Sequence, residues 1–157
     1  MIKTLEDFTS GQVITLGQYA LSEEDVVDFA RRFDPQPFHM QPEAARTQAV
    51  GGLMASGWHT TGIFMRLAVE AYLSSTAVLT SPGVDKLRWL RPVRPKDVLS
   101  GQVTVIETRA SQNNPDRGVL IADVDLRNQH NETVMTMVTT AFVLTRSGLA
   151  AIQQRSD

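Results

Sequence analysis

The stretch "WHTTGIFMRLAVEAYL", Trp58 to Leu73, is apolar on most sides when wound as a helix, and Arg66 and Glu70 supply an (i, i+4) charge pair. A helix of that kind is expected to be surrounded by protein. The chain then changes character. Beyond "TSPGV", where proline and glycine punctuate, come the β-like runs "VDKLRWLRPV", "VLSGQVTVIETRA", "GVLIADVDLRNQ" and "TVMTMVTTAFVLTR". In the third of these, Leu120, Ala122, Val124 and Leu126 fall on one face and Asp123, Asp125 and Arg127 on the other, the alternation of a sheet with one wet side. "NNPDRG" and "NQHNE" read as hairpin turns between them. One buried helix followed by a strand meander predicts an α+β fold, an antiparallel β-sheet wrapped around one long central helix.

Upstream, "QVITLGQYAL" mixes β-branched and apolar residues around Gly17 and reads as a short strand or a bent pair of strands. "SEEDVVDFARRF" is a helix: Ser22 is placed to cap it, acidic residues fill the first turn, and Val26, Val27, Phe29 and Ala30 form its apolar face. It must stop near Asp34, because the residue before a proline is pushed out of the α region and Pro35 has no N–H to offer. Asp34 is therefore expected on a loop. After His39, "QPEAARTQ" predicts about two helical turns, and the flexible "VGGLMASG" leads to Ser56 and Gly57 at the entry of the central helix.

At 157 residues with no evident linker, the chain is expected to form one domain spanning 1–157, large enough to bury a core. Apolar residues at 42% and charged residues at 20% fit a folded globular protein and exclude a disordered one. A formal net charge of -2 with no basic run gives no reason to expect nucleic acid or membrane as partner, which turns attention to a small ligand. With no cysteine, a thiolate nucleophile and thiolate metal sites are excluded. His39, His59 and His130 lie far apart, so no metal site is expected. The N-terminal stretch is not a secretory signal and no apolar run of ~18 residues occurs, so a cytoplasmic location is expected.

Within this layout, "FDPQPFH" (Phe33–His39) carries a carboxylate and an imidazole on a segment stiffened by two prolines. The region from Tyr19 to His59, including "FDPQPFH" and "GGLMASGWH", closely resembles the MaoC-like dehydratases and (R)-specific enoyl-CoA hydratases, as does "LRWLRPVRPKDVLSGQVTV". The resemblance extends over nearly the whole chain and implies their hot-dog fold. Asp34, Pro37 and His39 match the family's D-x-N-P-x-H motif, with Gln36 where asparagine is frequent. "Ala55-Ser56-Gly57" stands at its "aHG" stretch with Ser56 in place of histidine, and Met65 stands where some members have serine.

Hydrating an α,β-unsaturated thioester requires water activated for attack on Cβ, a proton for Cα and stabilisation of the enolate oxygen. The resemblance implies that Asp34 and His39 activate the water and that the Gly57 N–H serves as oxyanion donor. The first residues of a helix carry unpaired N–H groups and the positive end of its dipole. Ser56, Trp58 and Met54 are expected to line the substrate site. Arg91 and Arg94, within the basic cluster "RWLRPVRPK", are candidates for the phosphates of coenzyme A. His59 is left out of the catalytic set. The implied substrate is an acyl-CoA or acyl-carrier thioester, which supplies coenzyme A as part of itself and leaves no separate cofactor. A homodimer or dimer-based oligomer is expected. Two alternatives stay open: a hot-dog acyl-CoA thioesterase and a non-catalytic acyl-CoA-binding domain.

Overall fold

The computed structural model describes residues 1–43 and 49–155. In chain order the elements are β1 (Val13–Thr15), β2 (Tyr19–Ala20), α1 (Glu23–Phe33), α2 (Pro37–Met40), α3 (Gly57–Ala71), β3 (Val78–Trp89), β4 (Val98–Ala110), β5 (Arg117–Arg127), β6 (Thr133–Leu144) and α4 (Arg146–Gln154), with single 3-10 turns at Leu5–Asp7 and Leu73–Ser75. The turns expected across 41–48 fall for the most part on residues outside those described.

The strands form a six-stranded antiparallel sheet in the order β1-β4-β5-β6-β3, and β2 also pairs with β4. The bent pair expected around Gly17 is thus β1 and β2, lying along different parts of one long partner. The sheet's inner face is the face predicted for β5: Leu120, Ala122, Val124 and Leu126 are all buried. They join Leu99, Val103 and Val105 of β4 and Val134, Met135 and Met137 of β6 in one core with Ile63, Phe64, Leu67 and Ala68 of α3. Burying each large apolar side chain contributes about 1.5–3 kcal/mol relative to leaving it in water, so α3 is held by its sides and its start is fixed in space.

Two elements differ from the sequence expectation. β3 begins at Val78 and runs through the "TSPGV" segment, with register shifts between Val78 and Thr80, between Thr80 and Gly83, and between Asp85 and Arg88. As an edge strand it needs no second ladder, so Pro82 and Gly83 are tolerated as irregularities within it. It ends at Trp89, and after the Leu90 N–H donates to the Val134 carbonyl at 2.8 Å the chain crosses toward the entry of α3, where the Val93 carbonyl accepts from the Ala55 N–H at 2.8 Å. The last predicted strand stops at Leu144, because Thr145 accepts a hydrogen bond from the Gly148 N–H at 3.2 Å and caps α4.

α1 packs on α3 partly through Phe29, whose ring stacks on His59 at 4.6 Å with 3° between the planes. Burial pushes the His59 imidazole below its ordinary value, more strongly than Asp25 pulls it up. A base whose folded value is depressed binds fewer protons folded than unfolded, so stability falls as pH drops through the unfolded value of 6.5 and levels off below the folded one. Urea midpoints measured on either side of 6.5 should therefore decline on acidification, with the decline flattened in His59→Leu. Equal pH slopes in the two proteins would exclude His59 as the source.

Candidate active site

Asp34 and His39 meet because the chain between them has little freedom. α1 is capped at Ser22, whose hydroxyl accepts from the Asp25 N–H at 3.0 Å, and it closes at Asp34, whose N–H donates to the Ala30 carbonyl at 2.9 Å. The Gln36 N–H donates to the Asp34 carbonyl at 2.8 Å, Pro37 opens α2, and the His39 N–H donates to the Gln36 carbonyl at 3.0 Å. This bend sets Asp34 Oδ2 at 3.2 Å from His39 Nε2. His39 is only 4% exposed, with the Phe38 ring edge-on to it at 4.4 Å.

The other ring nitrogen settles the tautomer. His39 Nδ1 lies 2.7 Å from the Met54 carbonyl oxygen, which can only accept, so Nδ1 is assigned the proton of the neutral ring. Nε2 then presents a lone pair beside the Asp34 carboxylate. A water entering the cavity beside the pair has both acceptors within reach, and donating to either one keeps its oxygen lone pairs free.

The carboxylate is itself held. Gln36 Nε2 donates to Asp34 Oδ1 at 2.6 Å, which leaves Oδ2 to face the imidazole. Ser56, fully buried, has its hydroxyl beside the same carboxylate without completing a hydrogen bond of good geometry. Burial pushes the Asp34 carboxyl up, but the Gln36 amide and the Ser56 hydroxyl, with the positive charge that His39 carries when protonated, hold it below its ordinary value.

The first turn of α3 lines the same cavity as this pair. Gly57 N–H has no intrahelical acceptor. On the side where any other residue would carry Cβ lies the indole of Trp89, with ring carbons 2.4 to 2.8 Å from that position, so only glycine fits. Trp89 Nε1 donates to Thr61 Oγ1 at 3.1 Å, and Thr61 Oγ1 donates to the Gly57 carbonyl at 3.0 Å. Trp58 meets Trp89 edge-on at 5.0 Å.

A cavity of about 640 Å³ joins these groups. Of the residues singled out in the sequence, Asp34, His39, Met54, Gly57, Trp58 and Arg91 line it. Ser56 sits behind the wall. Arg91, at the mouth, is 3.7 Å from Glu132 in an exposed pair, which surface screening keeps weak. Arg94 is turned the other way: its guanidinium donates to the carbonyls of Val50, Gly52 and Leu53, and it is absent from the lining. Sequence reasoning missed the Gln36 clamp and the lining residues Phe38, Trp89 and Val134. Among the described residues no group of three or more His, Asp or Glu is arranged to hold a metal ion, and no helix is long and apolar enough to cross a membrane.

A family model for the MaoC like domain matches residues 7–123. YdeM of Bacillus subtilis (strain 168) is 30% identical over 125 residues, covering 80% of this chain and 87% of its own. The MaoC-like dehydratase from Rhodospirillum rubrum superposes with a TM-score of 0.86 at 37% identity, covering 92% of this chain and 98% of that one. The unliganded R-hydratase PhaJ1 from Pseudomonas aeruginosa shares the fold, with a TM-score of 0.70 at 19% identity over 91% of this chain and 86% of its own. The sheet wrapped on α3 is accordingly a hot-dog fold, and the chain belongs to the MaoC-like dehydratase domain family.

Proposed function

We propose that the protein is an (R)-specific enoyl-CoA hydratase or 3-hydroxyacyl-thioester dehydratase, adding water reversibly across the trans-2 double bond of an acyl thioester. The observation that carries this reading is the approach of Asp34 Oδ2 and His39 Nε2 to 3.2 Å on the wall of a cavity that also contains Gly57. Water held by the two acceptors attacks Cβ as its proton passes to them. The electrons of the double bond move onto the thioester oxygen, which receives the Gly57 N–H at the positive end of α3. Protonation of Cα from the same pair restores the carbonyl, so one water is consumed and the enzyme returns to its starting state. The thioester brings its own coenzyme A or carrier handle, and no step calls for a metal or redox cofactor. Preplacement of both groups by the proline-stiffened bend supplies orientation that a mobile pair lacks.

Incubation with a panel of trans-2-enoyl-CoAs, with products identified by mass, is expected to show a gain of water. Free coenzyme A would support a thioesterase instead, and unchanged substrate a binding domain. Asp34→Asn and His39→Ala should each lower turnover by about 10²-fold or more. Near-normal rates in both folded variants would remove the assignment.

Gln36 predicts the acid limb of the rate profile. Because its amide favours the charged form of Asp34, Gln36→Leu should raise the Asp34 value and shift the acid limb of kcat/KM to higher pH. An unmoved limb would mean that another group controls it.

The unpaired side of β3 supports a second copy as partner. This edge strand of 12 residues exposes Leu79, Val84 and Trp89, apolar surface for a second copy to cover. Light scattering is expected to give twice the chain mass, reduced by Val84→Lys. A wild-type protein of single mass would overturn the dimer.

A further inference from the structure

The segment from Val50 to Ala55 leads into α3 and carries the carbonyl on which His39 Nδ1 rests. Its own geometry is permissive. Gly51 and Gly52 have φ of 74° and 131°, in the region that glycine enters freely, so two successive residues offer many alternative paths. Arg94 gathers the carbonyls along the path taken. Its Nη2 donates to the Val50 carbonyl at 2.6 Å, and its Nη1 to those of Gly52 and Leu53 at 3.0 and 3.3 Å. Arg94 is itself anchored, since its N–H donates to Asp97 Oδ2 at 2.8 Å, and the adjoining Val93 carbonyl accepts from the Ala55 N–H at 2.8 Å. The next carbonyl after Leu53, that of Met54, is the one His39 uses, and the Met54 N–H returns to the Phe38 carbonyl at 3.3 Å.

We propose that Arg94 is a positioning residue for the hydration site: by gathering the carbonyls of Val50, Gly52 and Leu53 it presents the Met54 carbonyl to His39 Nδ1 and so fixes the tautomer of the imidazole. The catalytic consequence rests on the hydratase reading, but the geometry does not. If the Met54 carbonyl swings away, the ring loses its reason to keep the proton on Nδ1. With the proton on Nε2 instead, His39 donates directly to Asp34 Oδ2 across the existing 3.2 Å. That bond satisfies both groups without water, and the base that activates water is lost. A planar guanidinium suits this task because its fork reaches several carbonyls at once, whereas an ammonium is a single point of charge.

The test reads the tautomer, separately from activity. The chain has 3 histidines, so ¹⁵N-labelled protein at a pH where the rings are neutral gives few imidazole signals to assign. Wild-type His39 is expected to show a protonated Nδ1 and a bare Nε2. In Arg94→Met the population should move toward protonated Nε2, and Arg94→Lys should restore it in part. On enoyl-CoA, Arg94→Met should lose kcat by about 10-fold or more, a fraction of what a positioned acid–base group supplies, with KM little changed because Arg94 is not on the cavity wall. A folded Arg94→Met that keeps the wild-type Nδ1–H pattern overturns the proposal, even if enoyl-CoA turnover establishes the hydratase. Absence of turnover in wild type removes the hydratase reading while the tautomer shift still decides the role of Arg94. Should Arg94→Met fail to fold, the wild-type Arg94 Nη protons decide: slow rotation and protection from exchange are expected, and exchange as fast as that of the exposed Arg66 overturns the proposal.

Discussion

The burial of α3 is the constraint on which the other features depend. Phe64, Leu67 and Ala68 are almost wholly withdrawn from water, and the inner faces of β4, β5 and β6 are what withdraw them. A helix gripped in this way cannot slide, so its N-terminus becomes a fixed point. The unpaired N–H groups and dipole of that end are then available at a defined place. Every residue of the candidate site is located relative to it: Trp89 covers Gly57, Ala55 is tied to Val93, and the Val50–Leu53 loop hangs between Arg94 and the helix entry.

A second fixed point is the end of α1. Its packing on α3 and the proline that follows Asp34 bring a carboxylate within hydrogen-bonding distance of His39, in a cavity that the first turn of α3 also lines. Polar groups here are used with little redundancy. Asp34 has one oxygen on Gln36 and the other beside the imidazole, while His39 has Nδ1 on the Met54 carbonyl and Nε2 facing Asp34. Such a closed chain of partners is sensitive to any change in one member, because each bond sets the orientation of the next.

Much of this was legible in the sequence. The apolar circumference of Trp58–Leu73 marked a helix that the structure runs from Gly57 to Ala71, and the alternation at Leu120–Leu126 marked the correct buried face. Asp34 could be placed outside α1 because the proline effect on the preceding residue is local. What could not be read depends on contacts between distant segments. β3 extends past Pro82 and Gly83 because it lies at an edge, and edge position is a property of the whole sheet. Arg91 and Arg94 look alike in a basic run, yet one faces the cavity mouth and the other is turned to carbonyls more than forty residues upstream. That division depends on the path taken at Gly51 and Gly52, for which residue type supplies permission and no direction. The short α4 was missed because its cap, Thr145, follows a strand without a break.

The tryptophan pair has an optical consequence. The chain contains 2 tryptophans, and both stand at the cavity, their rings 5.0 Å apart beside Gly57. The whole indole emission of the protein therefore originates at the entrance to the cavity, so that this fold carries a built-in fluorophore at the point a guest molecule must pass.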